Sequence, residues 1–74
     1  MIPPPPATWP QPDGNPVACR EKLRMLAENH AELAQALQDA FEDAVLMGCD
    51  EAQFRAVLHR LADVLVNPYA KGGA

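Results

Sequence analysis

Apolar side chains recur at alternating spacings of three and four residues through the middle of the chain, which is the repeat of one helix face. The repeat consists of Cys19, Leu23, Leu26, His30, Leu33, Leu37, Ala40, Ala44 and Met47, with Phe41 beside it. Asn15-Pro16 is a favoured helix start, and Gly48 is a favoured residue just after a helix end. The pattern therefore predicts a first helix over about 17–47.

A second helical pattern follows after a connection of only two residues, Cys49 and Asp50. Asp50 and Gln53 are spaced as in a capping box, and Pro68 forces the residue before it out of the α region. The second helix is therefore predicted over about 51–66. Its apolar face is Phe54, Val57, Leu58, Leu61, Leu65 and Val66. The predicted fold is all-α, a two-helix antiparallel hairpin.

The segment before the hairpin is rich in proline, including four in a row at Pro3 to Pro6. Proline lacks the N–H that helices and strand ladders use, so residues 1–15 are predicted to be an extended arm. The segment after the hairpin contains Gly72-Gly73 and is predicted to be a flexible tail. The predicted organisation is an arm at 1–15, a helical hairpin at 16–67 and a tail at 68–74.

The two predicted helices differ in length, which leaves part of the first helix without a cover. An antiparallel second helix of about 16 residues can cover the first helix only from Met47 back to about Ala31. The apolar seam continues beyond that point, so either the arm folds back over it or another chain covers it. The residues predicted to form this protein-binding or dimer interface are Trp9, Leu23, Met25, Leu26, His30, Leu33 and Leu37.

The charges of the first helix are arranged against its macrodipole. Its first turns carry Arg20, Lys22 and Arg24, and its end carries Asp39, Glu42 and Asp43. Two copies packed antiparallel would place each basic end beside an acidic end, so we predict a homodimer that resembles a four-helix bundle. The alternative is that these charged side chains simply lie on a solvent-exposed face and contribute little to any contact.

The overall charge argues against direct binding to nucleic acid or to an anionic membrane. The chain has 74 residues, with 10 acidic and 6 basic residues and a formal net charge of −4. It offers no basic surface for phosphates, although a DNA mimic is an open alternative. Neither a signal peptide nor a membrane span is recognisable, so a cytoplasmic location is predicted.

The cysteines and histidines do not have the spacing of a metal site. Cys19 and His30 lie about 16 Å apart along one helix, whereas zinc needs bonds of about 2.0–2.3 Å to both ligands. We predict no metal, no cofactor and no catalytic residue, because two helices cannot enclose a reaction site. Cys19 and Cys49 are interpreted as small apolar fillers, with a reactive thiol or a cross-link as the alternative.

These observations predict a small non-catalytic protein-binding regulator or inhibitor, of the kind that bacterial mobile elements or phages carry. It would act stoichiometrically by covering a surface of a larger protein. The alternative is an accessory structural subunit built permanently into an enzyme or another assembly. The arm leaves two destinations open for Trp9: the helix of its own chain or of a dimer mate, or a pocket on a foreign protein such as a polyproline-binding domain.

Overall fold

A computed structural model describes residues 3–70, and within that range the chain forms two α-helices and no β-strand. Helix α1 spans Arg20–Leu46 and helix α2 spans Glu51–Asp63. The all-α, two-helix prediction is therefore confirmed. Residues 1–2 of the predicted arm and 71–74 of the predicted tail lie outside the described residues. The chain divides into two compact units, one ending at Ala40 and one beginning at Phe41.

A closed turn precedes α1, within the segment predicted to be an extended arm and at the turn residues Asp13-Gly14-Asn15. The N–H of Gln11 donates to the carbonyl of Asn15 at 2.8 Å, and Gly14 takes a positive φ of 90°. Beyond the turn, the N–H of Val17 donates to the carbonyl of Trp9 at 2.8 Å, beside an isolated antiparallel bridge between two prolines. Residues 3–8 have no regular secondary structure and are exposed.

Helix α1 begins at Arg20, later than the predicted residue 17. Asn15 does not cap it, because its carbonyl accepts the N–H of Gln11 at 2.8 Å inside the turn and not a first helical N–H. The backbone bond to Trp9 keeps the chain before α1 extended, so the first helical bond moves forward. That bond runs from the N–H of Leu23 to the carbonyl of Cys19 at 2.9 Å. Cys19 therefore occupies the N-cap position.

Helix α1 ends at Leu46, and Gly48 stops it in the way the sequence predicted. Gly48 has a φ of 94°, a conformation that side-chain-bearing residues rarely adopt. Its N–H donates to the carbonyl of Val45 at 3.0 Å, and the N–H of Cys49 donates to that of Ala44 at 2.9 Å. These two bonds form a Schellman motif, which satisfies carbonyls at the end of α1.

Helix α2 begins with the predicted cap and ends earlier than predicted. Asp50 is extended, with φ −66° and ψ 132°, and its Oδ2 accepts from the N–H of Gln53 at 2.9 Å. At the other end, the N–H of Leu65 bonds only three residues back, to Ala62 at 3.3 Å, so the last turn tightens and stops. The predicted end at residue 66 is therefore wrong by about one turn.

The unit that begins at Phe41 is a helical hairpin with a small core. The rings of Phe41 and Phe54 pack at 6.2 Å between centroids, and the Arg55 guanidinium lies 4.7 Å from the Phe41 centroid. Ala44 is 3% exposed and is the one buried residue among residues 3–70. Leu58 is half-buried beside Phe54 on α2.

The apolar face predicted for α2 is buried over only part of its width. Phe54 and Leu58 are half-buried, whereas four other members are exposed: Val57, Leu61, Leu65 and Val66. Leu65 and Val66 lie after the end of α2, which explains why the helical pattern does not place them against α1. No helix within residues 3–70 combines the length and apolar character needed to cross a membrane.

Candidate protein-binding face of helix α1

The α1 face is the strip of side chains that alternate three and four residues apart within the unit ending at Ala40. It consists of Leu23, Leu26, His30, Leu33, Leu37 and Ala40. With 3.6 residues per turn, this spacing places them along one side of the helix. The sequence led us to expect that the second helix would leave the first half of the strip bare. Leu23, Leu26 and His30 are instead half-buried, so this half is partly covered.

Trp9 covers part of this strip in its own chain. Its indole ring meets the His30 ring edge-on, with 6.3 Å between centroids and 72° between planes. The backbone bond from Val17 to the Trp9 carbonyl holds the indole-bearing residue next to the start of α1. Of the two destinations that the sequence left open for Trp9, the structure shows the one on α1. His30, the polar member of the strip, receives the ring.

Ala27 and Ala34 are half-buried beside the strip, and the sequence reasoning missed them. Each follows a strip position by one residue, so both lie along the same edge of the α1 face. The signal for them was the spacing, because Ala27 lies four residues after Leu23 and Ala34 lies four after His30. Their partial burial widens the partly covered surface of α1 beyond the strip itself.

The second half of the strip is open to solvent. Leu33 is 62% exposed and Leu37 is 41% exposed, although both belong to the same repeat as the half-buried residues. Met25 is 63% exposed but lies about 100° around the helix from Leu26, so it does not share the strip. The predicted interface residues therefore fall into three groups. Trp9, Leu23, Leu26 and His30 are half-buried, Leu33 and Leu37 are exposed on the strip, and Met25 is exposed outside it.

Some of the charges on α1 are paired within the helix. Arg24 Nη2 lies 2.7 Å from Glu21 Oε2, and Gln35 Nε2 donates to Asp39 Oδ1 at 2.8 Å. Such exposed pairs contribute about 0–1 kcal/mol. Neither Arg24 nor Asp39 therefore supports contacts between copies as strongly as the sequence pattern suggested.

Both cysteines are exposed, so their interpretation as apolar fillers is wrong. Hydrogen bonds from the backbone N–H of Lys22 and then of Glu21 lower the pKa of the Cys19 thiol, with a smaller contribution from the charge of Lys22. These N–H groups are the unpaired donors at the start of α1, which favour negative charge. Cys19 therefore lies where the start of α1 favours the thiolate form of its side chain.

Within residues 3–70, no three His, Cys, Asp or Glu side chains are grouped so as to hold a metal ion. Comparison of the chain with family models, with curated proteins and with solved structures gives no significant match. The feature of the chain that points to a function is therefore the α1 face, with its exposed leucines and its contact with Trp9.

Proposed function

We propose that this chain is a non-catalytic regulator or inhibitor that binds a larger protein stoichiometrically and covers part of its surface with the α1 face. The observation that carries the proposal is the exposure of Leu33 and Leu37, at 62% and 41%, on a strip whose other leucines are half-buried. Exposed apolar side chains aligned on one helix are typical of a helix that binds in a groove or against another helix.

The energetics support binding at these two positions. Full burial of a leucine side chain contributes about 1.5–3 kcal/mol relative to full exposure, so Leu33 and Leu37, at 62% and 41% exposure, together have about 1.5–3 kcal/mol left to gain. The small core, with Ala44 alone fully buried among residues 3–70, makes that gain large relative to the stability expected of so small a domain.

The test is capture of the partner by a variant altered on the α1 face, compared with a control variant altered elsewhere. Leu33→Asp combined with Leu37→Asp should remove a stoichiometric partner that the unaltered chain retains from a lysate of its host, measured by quantitative mass spectrometry. Leu65→Asp is the matched control, because Leu65 is 81% exposed outside both helices and should leave capture unchanged. Circular dichroism checks that each variant is helical. Equal capture by both variants would overturn the proposal.

The second candidate function is that of an accessory subunit built permanently into an assembly. The observation in its favour is the sparse core, because a chain with so little buried surface gains much from permanent packing. Expression without other subunits distinguishes the two functions. A free regulator should be soluble, helical and cooperative in thermal unfolding, whereas a dedicated subunit should aggregate or unfold.

Self-association would use the same α1 face, so the homodimer and the complex with a larger protein would be alternative states at Leu33 and Leu37. We propose a homodimer in which the α1 helices of two copies pack together, as in a four-helix bundle. The arrangement of basic residues at the start of α1 and acidic residues at its end supports this pairing. Light scattering should give about twice the chain mass of 8.0 kDa, and a monomer at all concentrations would exclude the dimer.

A further inference from the structure

We infer that the open side of the α1 face binds α1 of a second copy, antiparallel and in one register that the strip itself specifies. The inference rests on the proposed self-association and adds the residue pairs that would meet. It is carried by three features of α1: the symmetry of the apolar strip, the residues along its open edge, and the position of the cover that Trp9 already provides.

The apolar strip has the same spacing in both directions. From Leu23 to Ala40 the steps are three, four, three, four and three residues, and the reverse order is identical. An antiparallel copy can therefore match every position of the strip without a gap. The pairs are Leu23 with Ala40 of the second copy, Leu26 with Leu37 of the second copy, and His30 with Leu33 of the second copy. The two most exposed strip leucines would thus be covered from the other copy.

The open edge of the strip has opposite charges at its two ends and an alanine between them. It consists of Lys22, Asn29, Ala36 and Asp43, which are seven residues apart and exposed. The first three each lie one position before a strip residue, and Asp43 continues their spacing along α1. In an antiparallel helix pair, identical edges face each other. Lys22 would therefore face Asp43 of the second copy, and Asn29 would face Ala36, whose small side chain leaves room for it.

A parallel pair in register would lose these contacts. It would bring the open edge of one copy against the opposite edge of the other, where Ala27 and Ala34 lie. Lys22 would then have no acidic partner along the open edge. The antiparallel pairing is therefore the one that the side chains favour.

The contact of Trp9 with His30 leaves the open edge uncovered, because all four residues of that edge are exposed. Ala27 and Ala34, which are half-buried, each follow a strip residue, whereas the open edge precedes the strip residues. The two edges flank the strip on opposite sides of the helix. His30 lies between them, so its ring can contact Trp9 of its own chain while a leucine of the second copy packs on the open side.

Disulfide trapping between two single-cysteine variants tests the register. In a Cys19→Ser, Cys49→Ser background, full-length Asn29→Cys and Ala36→Cys variants are mixed in equal amounts and oxidised with a glutathione buffer. We expect the mixed 29–36 disulfide to exceed either like pair by about fivefold. The like positions would lie about 10 Å apart along the paired helices. Mass spectrometry resolves the three products, because the two variants differ in mass.

The outcomes separate this inference from the proposal on which it rests. Predominant 29–29 and 36–36 disulfides would overturn the antiparallel register while leaving a dimer in place. Three products in statistical proportion would overturn any fixed register. A monomer by light scattering in the unaltered protein would overturn the inference and the self-association together. Binding to a larger protein would then be tested separately, by the lysate capture.

A charge exchange provides the second test. Lys22→Asp places two acidic side chains opposite each other at both ends of the pair, so the dimer dissociation constant should rise about five- to tenfold at low salt. Adding Asp43→Lys restores opposite charges and should return the constant to within about twofold. Rescue that fails, with helicity unchanged by circular dichroism, would contradict the facing of Lys22 and Asp43.

Discussion

The indole of Trp9 meets the imidazole of His30 edge-on, with ring centroids 6.3 Å apart and planes inclined at 72°. The contact joins the proline-rich segment to the polar position of the α1 face. Because the carbonyl of Trp9 also accepts the N–H of Val17 at 2.8 Å, both the ring and the backbone of this residue are held. The segment before α1 therefore contributes to the packing of the unit that ends at Ala40.

Replacing Trp9 with alanine should lower the free energy of unfolding by about 1–2 kcal/mol, because a half-buried ring and its aromatic contact are lost. Urea denaturation followed by circular dichroism measures the change. Pro4→Ala is the matched control in the same segment, since Pro4 is exposed and should change stability by less than about 0.5 kcal/mol. A Trp9→Ala variant as stable as the control would contradict the role of the ring.

The Arg55 guanidinium above the Phe41 ring should be measurable as a coupling between the two side chains. At 4.7 Å from the centroid, the charge attracts the ring face by about 0.5–1 kcal/mol at an exposed site. A double-mutant cycle with Arg55→Ala and Phe41→Leu isolates this energy from the effect of each change alone. A coupling energy indistinguishable from zero would show that the stacking does not stabilise the hairpin.

Removal of the α2 cap should destabilise the second unit. Asp50→Ala leaves the N–H of Gln53 without the carboxylate that accepts it at 2.9 Å, which costs about 1 kcal/mol. Asp50→Asn keeps an oxygen acceptor and should be within a few tenths of a kcal/mol of the unaltered chain. Thermal unfolding of the three proteins makes the comparison, and equal losses in both variants would point to charge rather than capping.

The turn after α1 should depend on the backbone freedom of Gly48. An added Cβ would meet no atom within 4 Å, so the cost of Gly48→Ala comes from the φ of 94° and should be about 1 kcal/mol. Gly48→Asn should lose less, because asparagine tolerates positive φ better than alanine. The order of the melting temperatures tests this explanation, which a Gly48→Ala variant of unchanged stability would refute.

The thiol of Cys19 should ionise at a lower pH in the folded chain than in the unfolded chain. The N–H groups of Lys22 and Glu21 favour the thiolate and lower the pKa of Cys19. The measurement is the rate of thiol alkylation as a function of pH in a Cys49→Ser variant, whose only thiol is Cys19. The pH of half-maximal rate should be lower for the folded chain than for the same variant unfolded in urea. Coinciding midpoints would show that the cap does not act on the thiolate.

The sign of the linked stability effect follows from the lowered pKa. Between the folded and unfolded pKa values of Cys19 the unfolded chain binds more protons, so stability should rise with pH across that window. The contribution is complete above the unfolded pKa and is lost as the pH falls through the folded one. Cys19→Ser, which keeps an oxygen cap without the thiol, should show no such rise from this position.

Much of the helical architecture was predictable from residues close together in the sequence. Gly48 ends α1 and Asp50 begins α2 through bonds that span at most five residues, to Ala44 and to Gln53. Such local signals do not depend on distant parts of the chain. The repeat of the α1 face was equally visible, because helical periodicity alone places its residues on one side.

The tertiary structure decided what the local pattern could not. Asn15 has the preference of an N-cap, yet the bond from the N–H of Val17 to the carbonyl of Trp9 keeps the chain extended there, and α1 starts only at Arg20. The same fold-back brings Trp9 to His30, across residues far apart in the sequence. Periodicity placed the strip on α1, but only these contacts between segments decided which part of it stays exposed.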